Sequence, residues 1–228
     1  MASRPARNGN GNGNGSLALP RGPHKLPPEF VAANQRSRLL LGAANAVATH
    51  GYAALTVEQI IEAAGVSRTT FYEHFDNKRD CVLVAHAEIF DRLASAIFRA
   101  CASESEWAAK VAAAVETSIA FAMESPQEAS LLVVDAVAAD RTLTVRALAS
   151  GDHLAGLLRA GRDYCPEAAS LPELTERALV GAAMSVIGSR LLSGQLDRLP
   201  EIGPQLVHLI LMPYLGPDEA RKAAIPTT

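Results

Sequence analysis

Leu55-Thr56-Val57-Glu58-Gln59-Ile60-Ile61-Glu62-Ala63-Ala64-Gly65-Val66-Ser67-Arg68-Thr69-Thr70-Phe71-Tyr72-Glu73-His74-Phe75 is the stretch on which the fold turns. Thr56 and Gln59 have the spacing of a capping box, in which the hydroxyl accepts from a free backbone N–H and the amide reaches back, so a helix starts at Val57. Val57, Ile60, Ile61 and Ala64 give that helix an apolar face. Gly65 ends it after two turns, Val66 supplies an apolar plug, and Ser67 caps a further helix carrying Phe71 and Phe75 at i, i+4. Two short helices meeting at a glycine turn, with Arg68, Thr69, Thr70, Tyr72, Glu73 and His74 left off the apolar face, predict a helix-turn-helix over residues 56–75.

Upstream, a helix is expected from Glu29 to His50, with Phe30, Leu40, Ala44 and Val47 on one side and Gly51 as its stop. Downstream, a long helix is expected from Asn77 to Cys101, then helices over roughly 105–124, 126–139, 141–161, 171–194 and 200–215. Ser125-Pro126-Gln127-Glu128 and Ser170 to Glu173 read as two further capping boxes, and Gly161, Gly194 and Gly216 as stops. With 49% hydrophobic residues, only 5% aromatics and little Val/Ile/Thr alternation, the chain reads as all-α. About nine helices are expected: a three-helix head over 29–80, a larger helical domain over 81–217 and a tail over 218–228.

Residues 1–28 hold four Lys/Arg, no acid, a Gly-Asn alternation and prolines at 20, 23, 27 and 28 besides Pro5, which predicts a basic leader that cannot bury enough to fold. It is read either as a solvated leader or as an arm that touches DNA phosphates or the minor groove. The formal charge of -3 is unevenly spread: residues 1–80 hold nine Lys/Arg against six Asp/Glu, and the remainder is acidic. The positive half is thus the one that carries the helix-turn-helix.

No apolar run approaches the length of a membrane span, and Gly and Asn occupy the place where a signal peptide needs apolar residues; a cytoplasmic protein with no membrane partner is expected. Cys81, Cys101 and Cys165 are widely spaced, with no C-x-x-C and no His at ligand spacing, so free thiols are expected and no metal site. The sequence has no H-E-x-x-H, G-x-S-x-G or phosphate-binding loop, so no catalytic residues and no cofactor are predicted and the chain is not expected to be an enzyme.

Residues 55–75, followed by Asp76-Asn77-Lys78 and preceded by Ala43, Ala44 and His50-Gly51-Tyr52, resemble the signature of the tetracycline-repressor (TetR) family over about residues 34–95. The resemblance implies a DNA-binding transcriptional regulator: a homodimer on double-stranded DNA, at a palindromic operator, repressing until a small-molecule effector binds the second domain. By position it implies that Thr56, Ser67, Arg68, Thr69, Thr70, Tyr72, His74 and Lys78 contact DNA. The chemistry suits: Arg68 can donate twice to a guanine edge, the threonines can meet phosphates or a thymine methyl, and Lys78 adds charge beside helix N–H groups. Glu73 departs from the pattern, because an acid facing a groove repels phosphate unless it accepts from a cytosine amino group.

Beyond residue 95 the resemblance is only that of a helical domain. Trp107, Phe121, Met123, His153, Tyr164 and Met184 are the residue types that line a ligand pocket, and are the candidates there. Small residues from Gly181 to Ser189 and the apolar surface of Leu206, Val207, Leu209, Ile210, Leu211 and Met212 make the last two long helices the expected dimer interface. The alternative is a non-catalytic small-molecule sensor or interaction protein whose helix-turn-helix is vestigial.

Overall fold

The computed structural model describes residues 27–135 and 141–224, so the leader expected over 1–28 lies outside the described residues except for Pro27 and Pro28. Every regular element among the described residues is helical. Helix α1, Pro28–Ala54, carries a proline in its first turn, where the missing N–H costs nothing, and is broken at Gly51 (φ 71°, ψ 152°). Its inner face is built of Leu39, Leu40, Ala43, Ala44, Ala46 and Val47, small and branched side chains that let neighbours come close. Helices α2 (Val57–Ala64) and α3 (Arg68–His74) pack on it, and α4 (Lys78–Ala102) follows, capped by Asn77, whose side chain accepts from the Asp80 N–H at 3.0 Å. At 1.5 Å per residue α4 is about 37 Å long. It leaves the head and forms a wall of the second domain.

The second domain comprises α5 (Trp107–Glu124), α6 (Pro126–Ser130) running into a wider π turn (Leu131–Asp135), α7 (Arg141–Arg159), α8 (Gly161–Tyr164), α9 (Thr175–Leu192), α10 (Leu199–Leu215) and α11 (Pro217–Ala223). Several expectations are corrected. The helix expected over 126–139 is a single α-turn and a π turn as far as residue 135. The Ser125–Glu128 box does not form: Ser125 makes no capping bond, and the buried Glu128 carboxylate accepts instead from Arg92 Nη2 of α4 at 2.5 Å, the stronger, charge-assisted bond. Ser170 donates to the Glu167 carbonyl at 3.1 Å and closes a 3-10 turn, and the extended backbone of Leu171 before Pro172 delays α9 to Thr175. The expected tail begins with α11, whose Ala220 and Ala224 are buried against the second core.

Two hydrophobic cores result. One gathers α1 to α4, including Ile60, Phe71, Phe75, Val82 and Ile89, and also takes in Leu131, Leu132 and Leu143 from the second domain. The other is formed by α5, α10, α11 and the ends of α7 and α9. Arg79 at the start of α4 donates to the Thr142 hydroxyl at the start of α7, a second tie between head and body.

Candidate nucleic-acid interface and apolar cavity

The capping box at Thr56 is present in both directions: Gln59 N–H donates to Thr56 Oγ1 at 3.2 Å, and Thr56 N–H to Gln59 Oε1 at 2.8 Å. Gly65 ends α2 in the left-handed conformation (φ 62°, ψ 39°), which a side chain adopts only with strain. Arg38 of α1 fixes this corner from outside, donating from Nε to the Ala64 carbonyl at 3.0 Å and from Nη2 to the Gly65 carbonyl at 2.6 Å. Ser67 Oγ accepts from the Thr70 N–H at 3.0 Å and shares a hydrogen bond with the Thr70 hydroxyl at 2.9 Å. Phe71, fully buried, and Phe75 pin α3 to the core.

Arg68, Thr69, Tyr72 and Glu73 are thereby turned outward and exposed, with Thr56 and Ser67 exposed at the two helix starts. Thr70 is half-buried through its bond to Ser67. His74, expected off the core, is half-buried beside Phe75, and its Nε2 is buried without a hydrogen-bond partner. Lys78 is turned inward: its Nζ donates to the Leu55 carbonyl at 2.6 Å and lies 5.3 Å from the centre of the Tyr52 ring. The ammonium therefore ties the start of α4 to the junction of α1 and α2, leaving donors for a further partner.

Arg68 is held by two neighbours. Its Nη1 pairs with Glu58 Oε1 of α2, its Nη2 is 3.5 Å from the Tyr72 hydroxyl, and the guanidinium lies 5.6 Å from the centre of the Tyr72 ring. Glu58 draws Arg68 to a higher pKa, and the Glu58 carboxyl is lowered first by the backbone N–H it meets in the opening turn of α2 and then by Arg68. Arg38 escaped the sequence reading, and Glu58 and Tyr52 were quoted in it without a role. Glu58 sits ten residues from Arg68, and only the helix-turn-helix angle brings them together.

A cavity of 470 Å³ runs through the second domain between α4, α5, α7, α9 and α10. Trp107, Phe121, Tyr164 and Met184 line it. Met123 and His153 do not: two residues past Phe121, Met123 faces the opposite side of α5 and is 42% exposed, and exposed His153 meets Phe90 edge-on at 5.9 Å. Asp152 pairs with Arg177 of α9 at 2.8 Å. One end of the cavity is braced by a buried network in which Glu176, fully buried, accepts from Arg162 Nε at 2.6 Å and Nη2 at 3.0 Å and from the Tyr214 hydroxyl at 3.1 Å. The Arg162 bonds hold the Glu176 carboxyl below its ordinary value against the effect of burial, and burial raises Tyr214. Tyr214 packs against Trp107 at a tilt of 55° with ring centres 4.7 Å apart. Trp107 in turn lies on Gly161 so closely that a Cβ there would fall 2.1 Å from its ring, a contact only glycine permits. Among the described residues no group of His, Cys, Asp and Glu side chains is placed to hold a metal ion, and no helix is long and apolar enough to cross a membrane.

Residues 39–85 match the family model for bacterial regulatory proteins of the tetR family. The chain is 30% identical over 87 residues to the HTH-type transcriptional activator FasR of Mycolicibacterium smegmatis, covering 38% of this chain and 40% of that one. It is 36% identical over 64 residues to the HTH-type transcriptional repressor AcnR of Corynebacterium glutamicum, covering 28% and 34%. The matches thus span well under half the length of these relatives. The whole fold is similar to that of the fatty acid degradation regulator FadR from Bacillus halodurans, with a TM-score of 0.69 at 20% identity over 82% of this chain and 97% of that one. It is also similar to FadR from Bacillus subtilis in complex with stearoyl-CoA, with a TM-score of 0.65 at 16% identity over 79% and 98%.

Proposed function

We propose that this chain, whose residues 39–85 match the family model for bacterial regulatory proteins of the tetR family, is a DNA-binding transcriptional regulator whose α3 reads the major groove. The observation that carries the reading is the outward row Arg68, Thr69 and Tyr72 on a short helix pinned by Phe71 and set at a fixed angle by the Gly65 turn. In this reading Arg68 and Thr69 meet base edges, Tyr72 and His74 meet phosphate oxygens, and Thr56, Ser67 and Thr70 present hydroxyls and helix N–H groups to the sugar-phosphate backbone. Lys78 meets a phosphate with the donors that Leu55 leaves free.

The regulator acts as a homodimer on a palindromic operator. Supporting this, α9 and α10 leave Val186, Leu192, Leu209 and Met212 exposed, an apolar face of the kind that closed two-fold pairing covers. The cavity is the effector site, and its occupation releases the operator. In support of the coupling, its inner end is formed by Leu132 and Val133, which also pack on the core of the head. Selection of bound duplexes from random DNA at two salt concentrations tests the reading: a palindromic site held with salt-sensitive affinity is expected, and no enrichment over input overturns it.

A further inference from the structure

Two residues of α1, one turn apart on the same face, meet the end of α2. Gly42 is buried, and a Cβ on it would fall 2.8 Å from the Ala64 backbone nitrogen, so no side chain fits between the two helices there. Arg38 forks onto the corner itself: Nε donates to the Ala64 carbonyl at 3.0 Å and Nη2 to the Gly65 carbonyl at 2.6 Å. The last carbonyls of a helix have no partners within it, and the negative end of the helix dipole favours a cation. Arg38 supplies the donors and the charge together.

The same corner is the point from which α3 is hung. A Cβ on Gly65 would meet Arg38 Nη2 at 2.7 Å, so the guanidinium lies directly against the left-handed turn, three residues before Arg68. Helix α3 has seven residues. At 1.5 Å per residue it is about 10 Å long, and a rotation of about 10° at its start carries its far end by about 2 Å. The window for a hydrogen bond to a base edge is only about 0.5 Å wide. Groups that meet phosphates in the proposed complex are placed by other contacts: Thr56 stands at the opposite end of α2, and Lys78 is tied to the Leu55 carbonyl.

We infer that Arg38 is a positioning residue for base reading: without facing a base, it sets the angle at which α3 enters the groove by holding the Ala64 and Gly65 carbonyls against α1. This rests on the reading of α3 as the helix that enters the major groove. The fork is needed as well as the charge, because the two acceptors belong to successive residues and are met by two nitrogens of one rigid plane. A lysine ammonium keeps the charge and loses that geometry. The competing role, a direct contact from Arg38 to a phosphate, differs in its salt dependence.

R38K and R38M are compared with the parent, all at full length. Without DNA, hydrogen exchange followed by mass spectrometry reads the hold on α3: peptides over residues 66–75 should exchange about tenfold faster in both variants, while those over α9 and α10 match the parent. Fluorescence anisotropy then sets the duplex selected by the parent against a scrambled one. Both variants should bind the selected duplex about tenfold more weakly, as the loss of one bidentate base contact gives. They should bind the scrambled duplex within about twofold of the parent, and R38K should keep the parent's salt slope. If R38M does not fold, R38K alone decides. An R38K protein with the parent's exchange and site preference overturns the inference. So does an equal loss on both duplexes with the salt slope of R38M lower by about one, which makes Arg38 a phosphate contact. Faster exchange with an intact preference overturns it too, because the corner then does not govern reading. A parent that enriches no duplex defeats the reading of α3 and takes this role with it, whereas every other adverse result leaves operator selection by the parent standing.

Discussion

Glu58, in the first turn of α2, ion-pairs with Arg68, the first residue of α3, so the two helices of the helix-turn-helix are bridged by the side chain that we propose reads a base. Both groups are exposed, and the pair therefore adds little to stability; its effect is on where the guanidinium points. Arg68→Ala is expected to weaken binding to the selected site about 10- to 100-fold and to relax one base position. Glu58→Gln is expected to strengthen binding to unrelated duplexes by removing a charge that repels phosphate, while narrowing the margin of the selected site. Fluorescence anisotropy with selected and scrambled duplexes checks both, and an Arg68→Ala protein with unchanged site preference removes Arg68 from the reading head.

Lys78 spends one donor on the Leu55 carbonyl and stands over Tyr52, so its loss acts twice. Lys78→Met should weaken selected and unrelated duplexes alike by about three- to tenfold and reduce the salt slope by about one. It should also lower the melting temperature by about 3 °C, because the α4 start is no longer tied to the α1–α2 junction. A loss confined to the selected site would make Lys78 a base reader instead.

Glu176 titrates below its ordinary 4.5 in the folded chain because Arg162 grips it. The unfolded chain takes up that proton first as pH falls, so the stabilisation is complete above about 4.5 and is lost as pH drops through the lowered folded value. Glu176→Gln should lower the melting temperature at pH 7 by about 5 °C, and its melting temperature should decline less than that of the parent on acidification. Thermal denaturation followed by circular dichroism at several pH values decides it; parallel declines would place the acid sensitivity elsewhere.

His86 of α4 is fully buried with neither ring nitrogen hydrogen-bonded, and burial together with Arg146 holds its pKa down to about 4 from 6.5. The unfolded state therefore binds a proton that the folded state refuses, and stability should fall as pH drops from about 6.5 towards 4. His86→Leu should flatten that stretch of the stability profile and be neutral or stabilising by up to about 1 kcal/mol at pH 7. Urea unfolding at pH 7 and pH 5 measures the difference, and an unchanged slope in His86→Leu would refute the assignment.

The parts of the site that could be read from the residue order are those whose partners lie within one turn. Thr56 with Gln59, Ser67 with Thr70 and the left-handed Gly65 are local contracts between a side chain and the neighbouring backbone, and they hold in the fold. Ser125–Glu128 has the same local pattern, yet Arg92, 36 residues away, takes the Glu128 carboxylate. Ser170–Glu173 is likewise displaced by the extended backbone before Pro172. Residue type chose the cavity candidates without knowing which way each side chain faced, which is why Trp107, Phe121, Tyr164 and Met184 line it and Met123 and His153 stand outside.

Leu131, Leu132 and Leu143 lie in the same core as Leu39, Phe71 and Val82. The three-helix head is consequently not a detachable cassette. Cutting the chain after residue 80, or grafting these 80 residues onto another sensor, would strip away buried leucines that complete the head's own interior. Recombination that preserves function has to keep the π turn and the start of α7 with the head, and a reporter chimera should join after residue 143 rather than at the visible end of the motif.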